Sequence, residues 1–510
     1  MEHYDLIIIG TGAAGGTLAY KLAPSGKKIL ILERGSFLPR EKENWSTAEV
    51  YLKERYHNPE VWYTPDGTAL RPGMTYNVGG NTKVYGAALF RLRERDFERV
   101  EHVGGISPEW PLKYRDFEPY YTQAEQLYHV HGQSGLDPTE PYRSTEYPFP
   151  AVTHEPRIQE VHNALLRKGL QPYYTPLGIQ LNEAQRYLSR CIRCSTCDGY
   201  PCLVQAKADG EVNGVLPALA YGQVTLLTDA QVLRLHTNAS GHAVSGVEVE
   251  IAGAQQLFTG DLVVVACGAI NSAALLLRSA NEQHPQGLAN SSDLVGRHFM
   301  KHQLGSILGV TKKLNPTVFQ KTMALNDFYW GEPGFDYPMG NVQLLGKFNA
   351  DVVGVDSDAF KPLTAEYAAS HSVDWWITSE DLPDPNNRIR VKGEQLILDY
   401  TENNTAAYDR LLARWTETLK SIDCGEYILP CTSYFRSKLP VQGVGHQCGT
   451  CRFGEDPTTS VLDLHCRTHD LDNLYVVDGS FFPSSAAVNP TLTIIANALR
   501  VGDHLLERLI

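Results

Sequence analysis

A short apolar run that ends in a glycine-spaced turn restricts the start of this chain to very few folds. Residues Tyr4 to Ile9 are mainly apolar and rich in Ile, GTGAAG follows at once with Gly10, Gly12 and Gly15, and an alanine-rich stretch continues to Leu22. This is the pattern of strand, tight turn and helix. In such a unit the first glycine permits the turn, the second lets a pyrophosphate approach the backbone, and the third lets helix pack closely on strand. The anion then rests on the helix amino terminus. A second apolar strand, KILILE, ends at Glu33, where a carboxylate can accept hydrogen bonds from an adenosine ribose and would repel an NADP phosphate. These residues predict a bound dinucleotide and fit FAD and NAD equally.

The 510 residues exceed the size at which one hydrophobic core stops growing, so two units around one site are expected. A net charge of -13, with no cluster of Lys and Arg, excludes a nucleic-acid partner. No apolar run is long enough for a transmembrane segment, and MEHYDLIIIG has neither the basic flank nor the cleavage site of a secretory signal, so a cytoplasmic address is expected. In that compartment the 10 cysteines read first as thiols, metal ligands or catalytic groups. CIRCSTCDGYPC sets Cys191, Cys194, Cys197 and Cys202 at spacings of two, two and four intervening residues. The first three resemble the nucleating part of iron-sulfur ligation, whereas zinc knuckles usually stand farther apart. An iron-sulfur cluster, a zinc site, a local disulfide pair and a reduced loop are all open readings of this run.

Toward the carboxyl terminus, LYVVDG reads as a buried strand ending in Asp478 and Gly479. There the backbone can approach a ribityl chain or pyrophosphate, and the carboxylate can bond its hydroxyls. Asn489 followed by Pro490 predicts a helix start, with Asn as the cap and Pro at the first helical position. The helix should run from about Thr491 to Leu509 and carry roughly half a positive charge at its amino terminus. His446 stands upstream of a Gly-Thr pair, NLYVVDG follows, and NPTLT opens the last helix. With GTGAAG, VGGNTKVYGAALFRLRERDF and VVVACGAINSAALLL, these pieces resemble the glucose-methanol-choline family of flavin oxidoreductases, nearer its pyranose- and glycoside-oxidising bacterial branch. The resemblance covers most of the chain and is weakest across roughly 310 to 440.

The resemblance implies an α/β fold. A discontinuous Rossmann-like FAD-binding domain would comprise residues 1 to 110, 205 to 310 and 440 to 510. A second, α+β substrate-binding domain, built on an antiparallel sheet and including the cysteine-rich insertion, would comprise 111 to 204 and 311 to 439. It implies that His446 takes the hydroxyl proton of an alcohol while hydride passes to FAD, a task suited to imidazole because its unperturbed pKa is ~6.5. Asn489 would orient the substrate hydroxyl. Gly79, Gly80, Asn81 and Val84 would pass along the flavin; Val232, Cys267, Asp478, Gly479 and Pro490 would touch the cofactor elsewhere. Some sugar-oxidising relatives attach FAD through a His just after the glycine pair; Thr82, Lys83, Val84 and Tyr85 stand here, which implies non-covalent FAD. Some dehydrogenases of the family drain electrons through an iron-sulfur cluster, the role Cys191 to Cys202 would then serve. The aromatic residues Phe328, Tyr329, Trp330, Trp375 and Trp376 could stack on a sugar, line a tunnel or fill a core. The expected reaction is oxidation of a sugar, glycoside or related polyol, with oxygen, a quinone or a protein as electron acceptor. The alternatives are a lyase or light-driven decarboxylase of the same family and an NAD-dependent dehydrogenase.

Overall fold

In a computed structural model, which describes residues 2–354, 363–430 and 439–509, the glycine turn stands between β1 (His3–Ile9), α1 (Ala13–Leu22) and β2 (Ile29–Leu32). Leu6, Ile7, Ile8, Ile29, Leu30 and Ile31 are fully buried. A strand covered on both faces reads as a continuous apolar run, which is why neither strand alternates. β1 and β2 are parallel neighbours, flanked by Val224–Leu227 beyond β2 and by Ala254–Val265 beyond β1, and Leu474–Val476 closes the parallel set. From Thr259 to Val265 the long strand runs parallel to β1. From Ala254 to Phe258 it pairs antiparallel with Val244–Ile251, which pairs in turn with Ala230–Thr237. The carboxyl ends of the parallel strands share one edge, where open parallel sheets bind ligands. Gly10, Glu33, Cys267 and Asp478 follow those ends. Gly10 has φ +99°, and a Cβ there would stand 2.4 Å from the Ala266 carbonyl oxygen; one on Gly15 would stand 2.0 Å from that of Gly10.

A second sheet of six antiparallel strands runs in the order Tyr427–Pro430, Gln303–Val310, Ser372–Ser379, Asn341–Leu344, Met323–Leu325 and Tyr173–Tyr174. One face packs Ile307, Val342, Trp375 and Ile377 against Ile158 and Val161 of helix Pro156–Arg167 and Leu411 and Trp415 of helix Thr405–Ser421. Alternation along the strands turns Gln343 and Trp376, which are cross-strand partners, to the other face.

The expected boundary at 310 is corrected by this pairing. Gln303–Val310 belongs to the antiparallel sheet because both its neighbours lie there. Trp62–Tyr63 and Ala69–Leu70, within 1 to 110, likewise join the hairpin Arg388–Lys392 and Gln395–Asp399. Of the spans expected for the two domains, residues 1, 355–362, 431–438 and 510 lie outside the described residues. Among the described residues no helix is long and apolar enough to cross a membrane.

Candidate active site

One cavity of about 440 Å3 takes its walls from the carboxyl edge of the parallel sheet and the open face of the antiparallel one. Gly10, Gly12, Glu33, Val232 and Cys267 line it, as do Gly80, Asn81 and Val84, and so do His446, Asp478, Gly479, Asn489 and Pro490. Gly15 and Gly79 are not among the lining residues. Gly15 packs α1 on the turn, and Gly79, at φ +97°, donates its amide to the Thr11 hydroxyl at 3.0 Å.

The residues at the turn fit a dinucleotide. α1 begins at the cavity wall with Gly12 as its cap, no side chain bonded to its first turn, and open space where a Cβ on Gly12 would point. An uncapped amino terminus presents N–H donors and partial positive charge to an anion. Glu33 Oε2 accepts the Thr11 amide at 3.1 Å and Oε1 accepts that of Gly35 at 3.0 Å. Burial raises its pKa, and the Thr11 and Gly35 donors offset part of that rise. A carboxylate offers about four lone-pair positions, so capacity remains for a ribose hydroxyl. Asn81 Oδ1 accepts the Thr75 amide at 3.1 Å. Cys267 donates its thiol to the Ile9 carbonyl at 3.4 Å, and burial pushes its pKa up to about 12, so it is a neutral thiol.

At the far wall four side chains form a directed chain of hydrogen bonds. His302 Nε2 lies 3.1 Å from the Ser485 carbonyl, which can only accept, so that nitrogen carries the proton and His302 Nδ1 the lone pair. His446 Nδ1 meets His302 Nδ1 at 2.8 Å and must therefore donate. This leaves a lone pair on His446 Nε2. Asn489 Nδ2 donates to it at 3.4 Å, while Asn489 Oδ1 accepts from Gln343 Nε2 at 2.9 Å. Burial pushes the pKa of His302 down to about 4, and burial and the neighbouring His302 hold that of His446 well below the usual range. Both rings are neutral at pH 7, and the half-buried His446 turns an acceptor nitrogen to the cavity.

Several expected roles change. Asn489 does not cap the last helix; Pro490 occupies that position, the helix spans Thr491–Arg508, and the Asn489 side chain is committed to Gln343 and His446. The Asp478 carboxylate is also committed, to the Gly268 amide, the Ser272 hydroxyl, and the amide and hydroxyl of Ser480. It clamps two turns together, so the approach to a cofactor falls to the backbone of 478–479. The four clustered cysteines do not fit a metal site. Among the described residues no group of three or more His, Cys, Asp or Glu could hold a metal ion. Cys194 instead points its thiol at the Thr196 carbonyl at 3.7 Å and Cys202 Sγ accepts the Ala206 amide at 3.3 Å. Burial raises Cys191 to about 12 and also raises Cys197, so both are neutral thiols here. What the insertion brings to the cavity is Ser195, Asp198, Gly199 and Tyr200. Asp198 holds Lys321 Nζ at 2.7 Å and the Gly346 amide at 2.5 Å, fastening the insertion to the second sheet's loops. Of the five aromatic residues, Phe328, Tyr329 and Trp375 are buried in the core, Trp330 packs beside Tyr329, and Trp376 alone lines the cavity. Sequence reasoning missed His302, Gln343 and Lys321, none of which sits in a spaced motif, and Asp198, which stands within the cysteine run that drew attention only to its thiols.

The GMC oxidoreductase family models match residues 4–304 in their amino-terminal part and 425–498 in their carboxyl-terminal part. Among curated proteins, the chain is 30% identical to the 6'''-hydroxyparomomycin C oxidase of Streptomyces lividus, over 99% of this chain and 92% of that protein. It is 30% identical to the paromamine 6'-oxidase of Streptomyces fradiae, over 98% and 90%. It is 26% identical to the fructose dehydrogenase large subunit of Gluconobacter japonicus, over 99% and 98%. Among solved structures, pyridoxine 4-oxidase from Mesorbium loti superposes with a TM-score of 0.67 at 18% identity, covering 98% of each chain, which shows a shared fold.

Proposed function

The chain belongs to the GMC oxidoreductase family, and on that premise we propose that it oxidises a CH–OH group of a sugar, glycoside or related polyol to the carbonyl. His446 Nε2 takes the hydroxyl proton. FAD, when bound, supplies the two-electron acceptor for the hydride. The observation that carries the reading is the lone pair of His446 Nε2, fixed by its own hydrogen bonds and turned into the cavity that the Gly10 turn and Glu33 also line. A substrate hydroxyl donating to Nε2 takes the place of the Asn489 amide there, and Asn489 Nδ2 then donates to the substrate oxygen and orients it. Gly12 and the uncapped start of α1 hold the pyrophosphate, Glu33 the adenosine ribose, and the backbone at Gly80 and Gly479 approaches the remainder. The uncapped terminus of helix Thr491–Arg508 faces the cavity through Pro490 and Thr491, where it favours the negative charge that reduction adds. Thr82 to Tyr85 offer no imidazole, which supports non-covalent FAD released by acid precipitation. The named sugar-oxidising relatives support the substrate class.

The purified yellow protein should bleach anaerobically with at least one member of a sugar and glycoside panel, and recolour with oxygen, a quinone or a protein acceptor. The His446→Ala variant should retain FAD and bleach at least ~100-fold more slowly. Bleaching at the wild-type rate by that variant would remove His446 from the reaction.

A further inference from the structure

We infer that His302 fixes the tautomer of His446 and takes up its Nδ1 proton during turnover, so that the two rings act as one base. The inference rests on the proposed oxidation and adds to it a residue that touches neither substrate nor cofactor. The rings meet edge to face, with centroids 4.9 Å apart at 83°, and their contact is the Nδ1 to Nδ1 hydrogen bond of 2.8 Å. Only one proton can occupy that bond. The Ser485 carbonyl places it on His446, because the opposite arrangement would put a second proton on His302 or strip the proton that Ser485 accepts. His302 thus acts on His446 as the buried aspartate acts on the histidine of a serine protease, by selecting the useful tautomer.

The surroundings of His302 also suit it to receive charge. Its carbonyl partner Ser485 and the backbone of Ala486 favour a cation there, as does Glu380, which follows strand Ser372–Ser379. Glu380 is itself held by the Ser107 hydroxyl, the Ala486 amide and His102 Nε2 at 3.1 Å. Lys301 opposes a cation on His302, and its own amide is bonded to Asp381 Oδ2 at 2.8 Å. At His446, by contrast, burial and the neighbouring His302 both oppose a cation. In the step, the substrate O–H bond breaks and its proton bonds to His446 Nε2. The His446 Nδ1–H bond breaks and that proton bonds to His302 Nδ1. The hydride leaves the carbinol carbon with its electron pair for FAD, and the positive charge ends on His302 against the Ser485 carbonyl.

His302→Asn keeps an acceptor for His446 and a donor for Ser485 but cannot take the proton; His302→Leu loses all three functions. With flavin content unchanged, anaerobic bleaching at saturating substrate should fall about 10-fold in the Asn variant and about 100-fold or more in the Leu variant, with substrate affinity within about twofold. In the wild-type protein the rate should fall on acidification with a midpoint near 4, because protonated His302 presents Nδ1–H to His446 and moves the His446 proton to Nε2. In the Asn variant that midpoint should move to lower pH. Nitrogen NMR of ring-labelled histidine in the resting holoenzyme should show His446 as the Nδ1–H tautomer in the wild type and the Asn variant, and lose that preference in the Leu variant. An Asn variant that bleaches at the wild-type rate with an unmoved midpoint overturns the relay. Failure of the oxidation itself reads differently: no alcohol bleaches the wild type, or His446→Ala bleaches as fast, whatever the His302 variants do.

Discussion

Gln343 decides which way Asn489 faces. Its Nε2 donates to Asn489 Oδ1 at 2.9 Å, so the Asn489 amide nitrogen is the atom left for His446 and for a substrate oxygen. Gln343→Leu removes the donor and frees the amide to rotate; the rate of flavin reduction should fall about 10-fold, about 1.4 kcal/mol in the barrier, and KM should rise with it. Gln343→Glu should be worse than Leu. A carboxylate only accepts, so it would draw Asn489 Nδ2 toward itself and leave Oδ1 facing His446 Nε2, where two acceptors repel. Steady-state kinetics on both variants check the order, and a Glu variant faster than Leu would contradict it. His446 and Asn489 were legible in the sequence because each sits in a local run of recognisable residues. Gln343 and His302 were not, since each meets its partner across more than a hundred residues of chain and only the folded register brings them together. The roles misread for Asp478 and Asn489 have a related cause: a local rule names what a side chain could bond, while the tertiary partners already present decide what it does bond.

Strand Ser372–Ser379 shows the same principle over a whole element. Trp375 and Trp376 are adjacent in sequence and face opposite ways, one stacked edge-on to Trp415 at 4.7 Å in the core, the other on the cavity wall opposite Gln343. Trp375→Ala should destabilise the protein by about 3–5 kcal/mol through the cavity it leaves, with little change in KM for the protein that remains folded. Trp376→Ala should leave the unfolding midpoint within the range of a small change and alter KM or the preferred substrate. Urea unfolding and substrate kinetics on the pair separate the two; equal destabilisation would mean the strand's faces are not divided this way. The sequence marked both tryptophans as candidates for sugar stacking or core but carried no signal to divide them, because residues on both faces of this strand are largely buried and no polar alternation separates the faces. The parallel strands were easier to read. β1 and β2 are flanked by a glycine turn and a terminal acid that have meaning only beside a ligand, whereas Gln303–Val310 has no such marker, and it pairs in the antiparallel sheet although the expected FAD-binding span ran to 310.

Joining two sheets over one cavity also buries titratable groups that do not line it, and these tie the stability of the whole molecule to pH. His154 lies where three parts of the second unit meet: its ring stacks on Tyr174 at 4.5 Å, its Nδ1 meets the Thr322 hydroxyl at 2.8 Å, and His162 of helix Pro156–Arg167 is 5.2 Å away. Burial, with lesser repulsion from His162 and Arg193, pushes its pKa down to about 3. The unfolded chain binds a proton at this residue below about 6.5 while the folded chain does not, so the stability it contributes is complete above that pH and is lost as pH falls toward 3. Between pH 6.5 and 4.5 that loss is about 2 kcal/mol, the slope rising from half of ~1.4 kcal/mol per unit at pH 6.5 to that full value below it. His154→Phe keeps the stacking on Tyr174, forfeits the Thr322 hydrogen bond and cannot titrate. It should therefore be less stable than the wild type near neutrality yet lose less on acidification, so that the two urea-unfolding curves, measured with saturating FAD, converge as pH falls. Because His154 does not line the cavity, flavin reduction at pH 7 should be unchanged within about twofold, the range of a substitution that touches no reacting group. Curves that stay parallel across this range would show that burial at the seam between strand, loop and helix does not set the proton affinity of this ring.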